Sequence, residues 1–293
     1  MKYTAIHQFR TEKLLPFLLL IPVFVLLFAV TIYPFIYGLY LSLSSYNIIT
    51  GLSFRGLGNY VDAFKDPRFL NALIITFIFV GSAVSLEFLL GLGIALLVNR
   101  DFWLKRVIVS LIYIPMIMAP IAVALMWRML YNAEYGPINY FFLHLNLIGR
   151  KIAWLSETKH AIQSLIVVDM WQWTPFMFLV LYAGLQSVPS ELREAAQMDG
   201  ASRWQVFRHI SFPSLLPFII LAFLFRVIDA FKIFDAVSVL TKGGPGTSTE
   251  VVSWLGYLTG FTYFRLGYAA AMAMILFVTV LVISQLLLKK IRG

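Results

Sequence analysis

The sequence predicts an all-α integral membrane protein with six transmembrane helices. Its composition is the first indication: 60% of the 293 residues are hydrophobic and 13% are charged, whereas soluble domains carry about 25% charged residues. The second is the length of its apolar stretches, since about 20 residues are needed for a helix to cross the membrane. Six stretches are long enough: residues 14–37, 69–98, 107–130, 161–185, 215–234 and 264–288.

The distribution of basic residues predicts the orientation of these spans. An even number of spans places both termini on one side. With the termini inside, the N-terminal segment 1–13, the two inner loops and the C-terminal tail 289–293 carry more Lys and Arg than the longer outer loops. Because Lys and Arg are enriched in cytoplasmic segments, we expect both termini in the cytoplasm, with one six-helix domain at 14–288. The first span is too long for a cleaved signal peptide and is expected to be retained.

Several classes of chemistry are excluded by what the sequence lacks. The chain has no cysteine, which excludes disulfides, thiolate metal sites and cysteine nucleophiles. No G-x-x-x-x-G-K-[ST] phosphate loop, G-x-S-x-G elbow or H-E-x-x-H motif occurs, and the four histidines are scattered. We therefore expect no catalytic residue, metal site or cofactor in this chain. The net charge of +9 is interpreted as a topology signal rather than as nucleic-acid binding.

One polar block, residues 187–213, reads SVPSELREAAQMDGASRWQVFRHISFP and faces the cytoplasm in the predicted topology. Pro189 and Ser190 suit the start of a helix, and Gly200 can adopt the left-handed conformation that ends it. Ser202 can then cap a second helix at 203–210. Small apolar residues beside charges on the first helix indicate a surface that fits into a groove. A solvated amphipathic connector at the membrane interface is the alternative.

The spacing within this block resembles the EAA loop of bacterial binding-protein-dependent ABC importer permeases. Glu194, Ala195 and Ala196 are followed by Gly200 and then by Ile210, Phe212 and Pro213, where the family usually has Leu-Pro. Two further segments, FRGLGNY at 54–60 and LTKGGP at 240–245, look like the carbohydrate-uptake subgroup, the maltose-type permeases. The resemblance implies a type I ABC importer permease fold, with a cytoplasmic coupling loop at 189–213 between helices 4 and 5.

The resemblance also implies a division of labour among subunits in the cytoplasmic membrane of a bacterium or archaeon. This chain would be the non-catalytic, channel-forming permease of an ATP-driven importer of a di- or oligosaccharide, a polyol or a glycerol derivative. Its partners would be a second, similar permease, an ATPase dimer with Walker A motifs that binds ATP and Mg²⁺, an extracytoplasmic sugar-binding protein and membrane lipid. The contact with the ATPase would involve Glu194, Ala195, Ala196, Asp199, Gly200 and Arg203.

Polar side chains inside two spans are candidates for the substrate path, because ionisable groups are costly in hydrocarbon and face the bundle interior. They recur at helical spacing: Asp169, Gln172, Trp173 and Phe176 on the fourth span, and Arg226, Asp229 and Ile233 on the fifth. Hydrogen-bonding groups beside aromatic faces suit a sugar, and the resemblance implies that these two helices line the cavity. An anionic sugar bound by Arg226 is also possible. Alternatively, Arg226 and Asp229 form a structural ion pair.

Two rival functions stay open at the level of the sequence. A self-sufficient secondary transporter would use Asp169, Glu87 or Asp229 as a proton relay and would need no partner subunits. Glu87 lies in the middle of the second span without an obvious local partner, and its role is unassigned. A membrane-embedded enzyme is disfavoured, because no nucleophile and base are placed at a shared depth.

Overall fold

The computed structural model describes residues 18–47, 51–100 and 102–292 of the chain. The predicted N-terminal segment 1–13 and the start of the first predicted span, 14–17, lie outside the described residues. Twelve helices occur in the described part: α1 (Leu18–Ser42), α2 (Gly58–Lys65), α3 (Pro67–Val98), α4 (Lys105–Ile117), α5 (Pro120–Leu130), α6 (Pro137–His144), α7 (Thr158–Gln186), α8 (Ser190–Met198), α9 (Arg203–Ala230), α10 (Asp235–Leu240), α11 (Val252–Tyr257) and α12 (Leu266–Arg292).

Five of these helices are long and apolar enough to cross a membrane: α1, α3, α7, α9 and α12. They correspond to five of the six predicted spans, and the all-α membrane fold class is confirmed. A sixth crossing is counted only if α4 and α5, which meet at a bend of 97°, form one span. α12 continues beyond the predicted end of the last span, so that residues 289–292 of the predicted tail are helical.

The predicted span at 107–130 is divided into two helices, because the chain breaks between α4 and α5. Met118 and Ala119 are extended, with ψ angles of 142° and 132°. Pro120 causes this break, since proline lacks the N–H for a helical hydrogen bond and disfavours the helical conformation of the preceding residue. Pro175 and Pro217, by contrast, lie inside α7 and α9 without interrupting either helix.

The polar block folds into α8 and the beginning of α9. α8 starts at Ser190, and Gly200 adopts a φ of +83° just after the helix ends. The side chain of Ser202 accepts a hydrogen bond from the Gln205 backbone N–H, and the Gln205 side chain accepts one from the Ser202 backbone N–H. The predicted start at Ser202 therefore agrees with the capping box at the first turn of α9.

The predicted separation between a second cytoplasmic helix at 203–210 and a span at 215–234 is wrong. One helix, α9, runs from Arg203 to Ala230 through a π-helical turn at Phe207–Ser211. The prediction ended the span too late: Ile233 and Phe234 follow the helix and lie in the connection to α10. Phe212 and Pro213 are the first residues after the π turn, inside α9.

The core of the bundle is formed chiefly by α3 and α7. Their backbones approach closely at Gly91, where an added Cβ would lie 2.7 Å from the Met177 Cβ and 2.9 Å from the Phe178 nitrogen. Phe79 and Leu165 are fully buried in the same core. α1 lies on the outside of the bundle, with none of its most apolar stretch buried. Three buried charged residues, Glu87, Asp169 and Arg226, lie on α3, α7 and α9.

A two-stranded antiparallel hairpin of β1 (Ser44–Asn47) and β2 (Gly51–Phe54) follows α1, and the sequence analysis did not predict it. Asn59, at the start of α2, is buried and its side-chain N–H groups donate to the backbone oxygens of Ser42 and Ser44. The FRGLGNY segment therefore fastens α2 to the end of α1. Because one amide satisfies two buried carbonyls, α2 is held against the end of α1 and the first residue of β1.

The LTKGGP segment forms a tight loop between α10 and α11 that is tied to the start of α3. Glu250, buried in this loop, accepts two hydrogen bonds of 2.7 Å from the Arg68 guanidinium. Gly243 adopts a φ of +84°, and a Cβ at this position would lie 2.9 Å from the Trp254 ring. Glycine is required here both by the backbone conformation and by the close tryptophan.

Candidate functional site

The guanidinium of Arg226 is the centre of a buried ion cluster. Its Nε and Nη2 donate to the two oxygens of Glu87 at 2.6 and 2.8 Å. Nη2 also donates to Asp169 at 2.6 Å, and Nη1 donates to Asp229 at 3.0 Å. Arg226 is 1% exposed and Glu87 is fully buried. Every nitrogen of the guanidinium is therefore engaged by a carboxylate.

The ion cluster joins three helices that are distant in the sequence. Glu87 on α3 is 139 residues from Arg226 on α9, and Asp169 on α7 is 57 residues away. Asp229 lies one turn after Arg226 on the same helix. The structure thus gives Glu87 a partner that sequence spacing could not indicate. The sequence could have indicated this pairing only through chemistry, because buried carboxylates within spans need a cation and the fifth span contains an arginine.

Two members of the ion cluster, Asp169 and Asp229, line a pocket with a volume of ≈ 170 Å³. Five of the seven predicted substrate-path residues line this pocket: Asp169, Gln172, Trp173, Asp229 and Ile233. The guanidinium of Arg226 lies behind the wall, 5.1 Å from the centroid of the Trp173 ring. The prediction placed Phe176 on the same stripe, but it does not belong to the lining and is half-buried farther along α7.

The pocket also contacts the break between α4 and α5. Gln172 donates from Nε2 to the backbone oxygen of Met118 at 3.2 Å, and Pro120, the first residue of α5, lines the pocket. A helix break frees backbone oxygens, which need partners inside a membrane protein. Gln172 therefore stabilises the backbone at the helix break and also lines the pocket. Its position on the predicted stripe indicated only the second of these roles.

The second predicted site, the exposed helix α8, follows the C-terminal end of α7. Of the six residues predicted to contact the ATPase, Ala196 is half-buried and the others are exposed: Glu194, Ala195, Asp199, Gly200 and Arg203. Large apolar side chains beside them are also open to solvent, with Met198 88% exposed and Trp204 65% exposed. A polar helix with uncovered apolar side chains is typical of a surface that binds another protein.

Comparison with known families decides the class of the protein. Residues 87–291, which include Glu87, the whole pocket and α8, match the family described as "binding-protein-dependent transport system inner membrane component". The chain belongs to this family. The permease is therefore a multi-pass subunit of an ABC transporter in the inner membrane, and the resemblance predicted from the polar block is confirmed.

Several curated relatives align with nearly the whole permease. It is 40% identical over 255 residues to a probable ABC transporter permease protein, y4oQ, of Sinorhizobium fredii, covering 86% of this chain and 81% of the relative. It is 35% identical over 284 residues to the trehalose/maltose transport system permease protein MalF of Thermococcus litoralis, covering 96% and 94%.

A solved structure shares the fold of the permease. It is a bacterial ABC transporter involved in the import of the acidic polysaccharide alginate, with a TM-score of 0.84, 22% identity and 98% of both chains covered. The shared architecture is that of a type I ABC importer permease.

Proposed function

We propose that this permease forms half of the channel of an ATP-driven sugar importer, in which helix α8 docks on a cytoplasmic ATPase. The observation that carries the proposal is the exposed α8, which is joined through Gly200 to the helix that contains Arg226. A second, similar permease would complete the channel, and an extracytoplasmic binding protein would deliver the cargo. Both termini would lie in the cytoplasm.

The chemistry of the pocket supports a sugar as the cargo. The indole face of Trp173 can cover the apolar C–H side of a sugar ring, while Asp229 and Asp169 accept hydrogen bonds from hydroxyl groups. These side chains line one pocket, and the relative from Thermococcus litoralis is named for trehalose and maltose transport. A di- or oligosaccharide is the cargo that we favour, ahead of a polyol or glycerol derivative.

The proposed coupling is mechanical. ATP-driven closure of the ATPase dimer would move α8, with Glu194 as the charged anchor of the contact and Ala195, Ala196, Asp199 and Arg203 around it. Gly200 would set the angle between α8 and α9, and α9 would carry the displacement to the pocket. Rigid-body movement of this kind needs a firm joint between the two helices.

A crosslinking experiment tests the docking. Because the chain has no cysteine, Ala195→Cys introduces a single thiol on α8 of the assembled importer. We expect a bifunctional thiol reagent to join it to the ATPase. Tyr135→Cys is the matched control, since Tyr135 is 82% exposed in the loop after α5, at the other end of the bundle, and should give no such product. If Ala195→Cys gives no crosslink to the ATPase in the full complex, the docking proposal is wrong.

Substitution of Gly200 tests the coupling. Pro cannot adopt the φ of +83° found there, whereas Asn tolerates left-handed conformations. In vesicles that also contain the second permease, the ATPase and the binding protein, Gly200→Pro should abolish ATP-driven uptake while membrane insertion is unchanged. Gly200→Asn should keep most of the uptake. Normal transport by Gly200→Pro would contradict the proposal. Gradient-driven uptake by the permease alone would instead favour a secondary transporter.

A further inference from the structure

The wall of the pocket carries more negative than positive groups. Three carboxylates line it, from Asp169, Asp229 and Asp235, whereas Lys232 is the lining residue with a positive charge. The Lys232 ammonium lies 3.9 Å from an Asp229 oxygen, so its charge is offset within the wall. A charged wall of this kind acts on a ligand over several ångströms, because charges in a protein cleft are screened less than charges in open water.

Arg226 does not correct this imbalance. Its side chain is 2% exposed, and Glu87, Asp169 and Asp229 accept hydrogen bonds from all three of its nitrogens. Glu87, which does not line the pocket, formally neutralises the guanidinium. An anionic ligand would have to displace a buried carboxylate to reach Arg226, which leaves that carboxylate unpaired at a high cost. The sequence-based possibility that Arg226 binds an anionic sugar is therefore not supported by the geometry.

We propose that Asp169, Asp229 and Asp235 make the pocket selective for uncharged sugars and exclude sugars that carry a carboxylate, sulfonate or phosphate. Hydroxyl groups donate hydrogen bonds to these oxygens, whereas an anionic substituent is repelled by them. The inference rests on the proposed function. It does not follow from the fold, because the structurally similar transporter imports an acidic polysaccharide.

A single thiol in the pocket measures this selectivity directly. Ala236 lines the pocket beside Asp235, and Ala236→Cys adds little volume to a chain that has no cysteine. Rates of modification by cationic, anionic and neutral methanethiosulfonate reagents are compared on the purified permease. Normalised to the neutral reagent, we expect the cationic reagent to react at least about tenfold faster than the anionic one. At Tyr135→Cys, where Glu134 and Lys151 form an ion pair of 3.3 Å, the two rates should be similar.

Charge variants connect the measured ratio to the named residues. In the Ala236→Cys background, Asp229→Asn with Asp235→Asn should bring the ratio near that of the Tyr135→Cys control. Asp229→Glu keeps the charge and should keep the ratio, which separates loss of charge from a disturbed fold. Equal rates at Ala236→Cys, a preference for the anionic reagent, or a ratio that survives both Asn substitutions would overturn the inference.

The thiol measurement is independent of the proposed function, since it uses neither ATPase nor binding protein. Failure of ATP-driven uptake would leave the ratio at Ala236→Cys unaffected, and a ratio near one would leave ATP-driven import standing. In the intact importer, equal rates of import for trehalose and for the same sugar with one hydroxymethyl group oxidised to a carboxylate would also overturn the selectivity.

Discussion

At the scale of single residues, Arg226 is the group whose loss should disturb the interior most. It compensates Glu87, Asp169 and Asp229 at once, and removing one partner of a buried ion pair leaves an uncompensated charge. We expect Arg226→Met to lower the free energy of unfolding by about 3–5 kcal/mol, measured by chemical denaturation in detergent.

The matched control for Arg226 removes the charges together. A triple variant with Arg226→Met, Glu87→Gln and Asp169→Asn replaces the buried ions by neutral groups of similar size, and it should recover part of the lost stability. If Arg226→Met is as stable as the unchanged protein, the ion cluster does not hold α3, α7 and α9 together.

The sequence was sufficient to name five of the eleven residues that line the pocket, but not to assign their contacts. Helical spacing placed Asp169, Gln172 and Trp173 on one stripe, and the structure brings them to one pocket. Glu87 stayed unassigned because its partner is 139 residues away, a distance over which local periodicity carries no information. Phe176 has the right spacing but lies beyond the length of the pocket.

At the scale of helices, the contact between α3 and α7 depends on Gly91. A Cβ there would lie within 3 Å of Met177 and Phe178 on α7. The backbone of α7 cannot move away without disturbing the packing around it. Gly91→Ala should therefore destabilise the protein by about 1–3 kcal/mol, the range for overpacked cores. The measurement is again chemical denaturation in detergent.

Gly93 provides the comparison on the same helix. No atom lies within 4 Å of a Cβ added at Gly93, so Gly93→Ala should be neutral or stabilising by up to about 1 kcal/mol through helix propensity. Equal effects of Ala at Gly91 and Gly93 would show that close backbone packing of α3 on α7 does not limit stability.

Apolar length and capping residues predicted the helices well, whereas the effect of each proline was not predictable from the sequence. Pro120 breaks the chain between α4 and α5, but Pro175 and Pro217 are held inside helices. The difference is tertiary: at the break, Gln172 from α7 donates to the freed Met118 oxygen. The boundary inside the polar block was missed for a related reason, since a π turn joins residues 203–206 to the span without a break.

At the scale of the whole molecule, the predicted orientation places α8 in the cytoplasm and the loop after α5 outside. Two variants of the cysteine-free chain test it on intact cells with a membrane-impermeant thiol reagent. Tyr135→Cys should be labelled at once, and Ala195→Cys should be labelled only after the membrane is permeabilised. The reverse pattern would place the termini outside and would contradict the positive-inside prediction.

The continuity of α9 sets the scale of any movement that begins at the cytoplasmic surface. Its 28 residues span about 42 Å at 1.5 Å per residue. If the helix pivots near Arg203, a tilt of about 5° displaces Arg226, about 35 Å along the helix, by roughly 3 Å. This is as large as the hydrogen-bond lengths that hold its guanidinium in place. A tilt this small, which hardly alters the shape of the subunit, would then be enough to replace the hydrogen-bond partners of the Arg226 guanidinium by other groups.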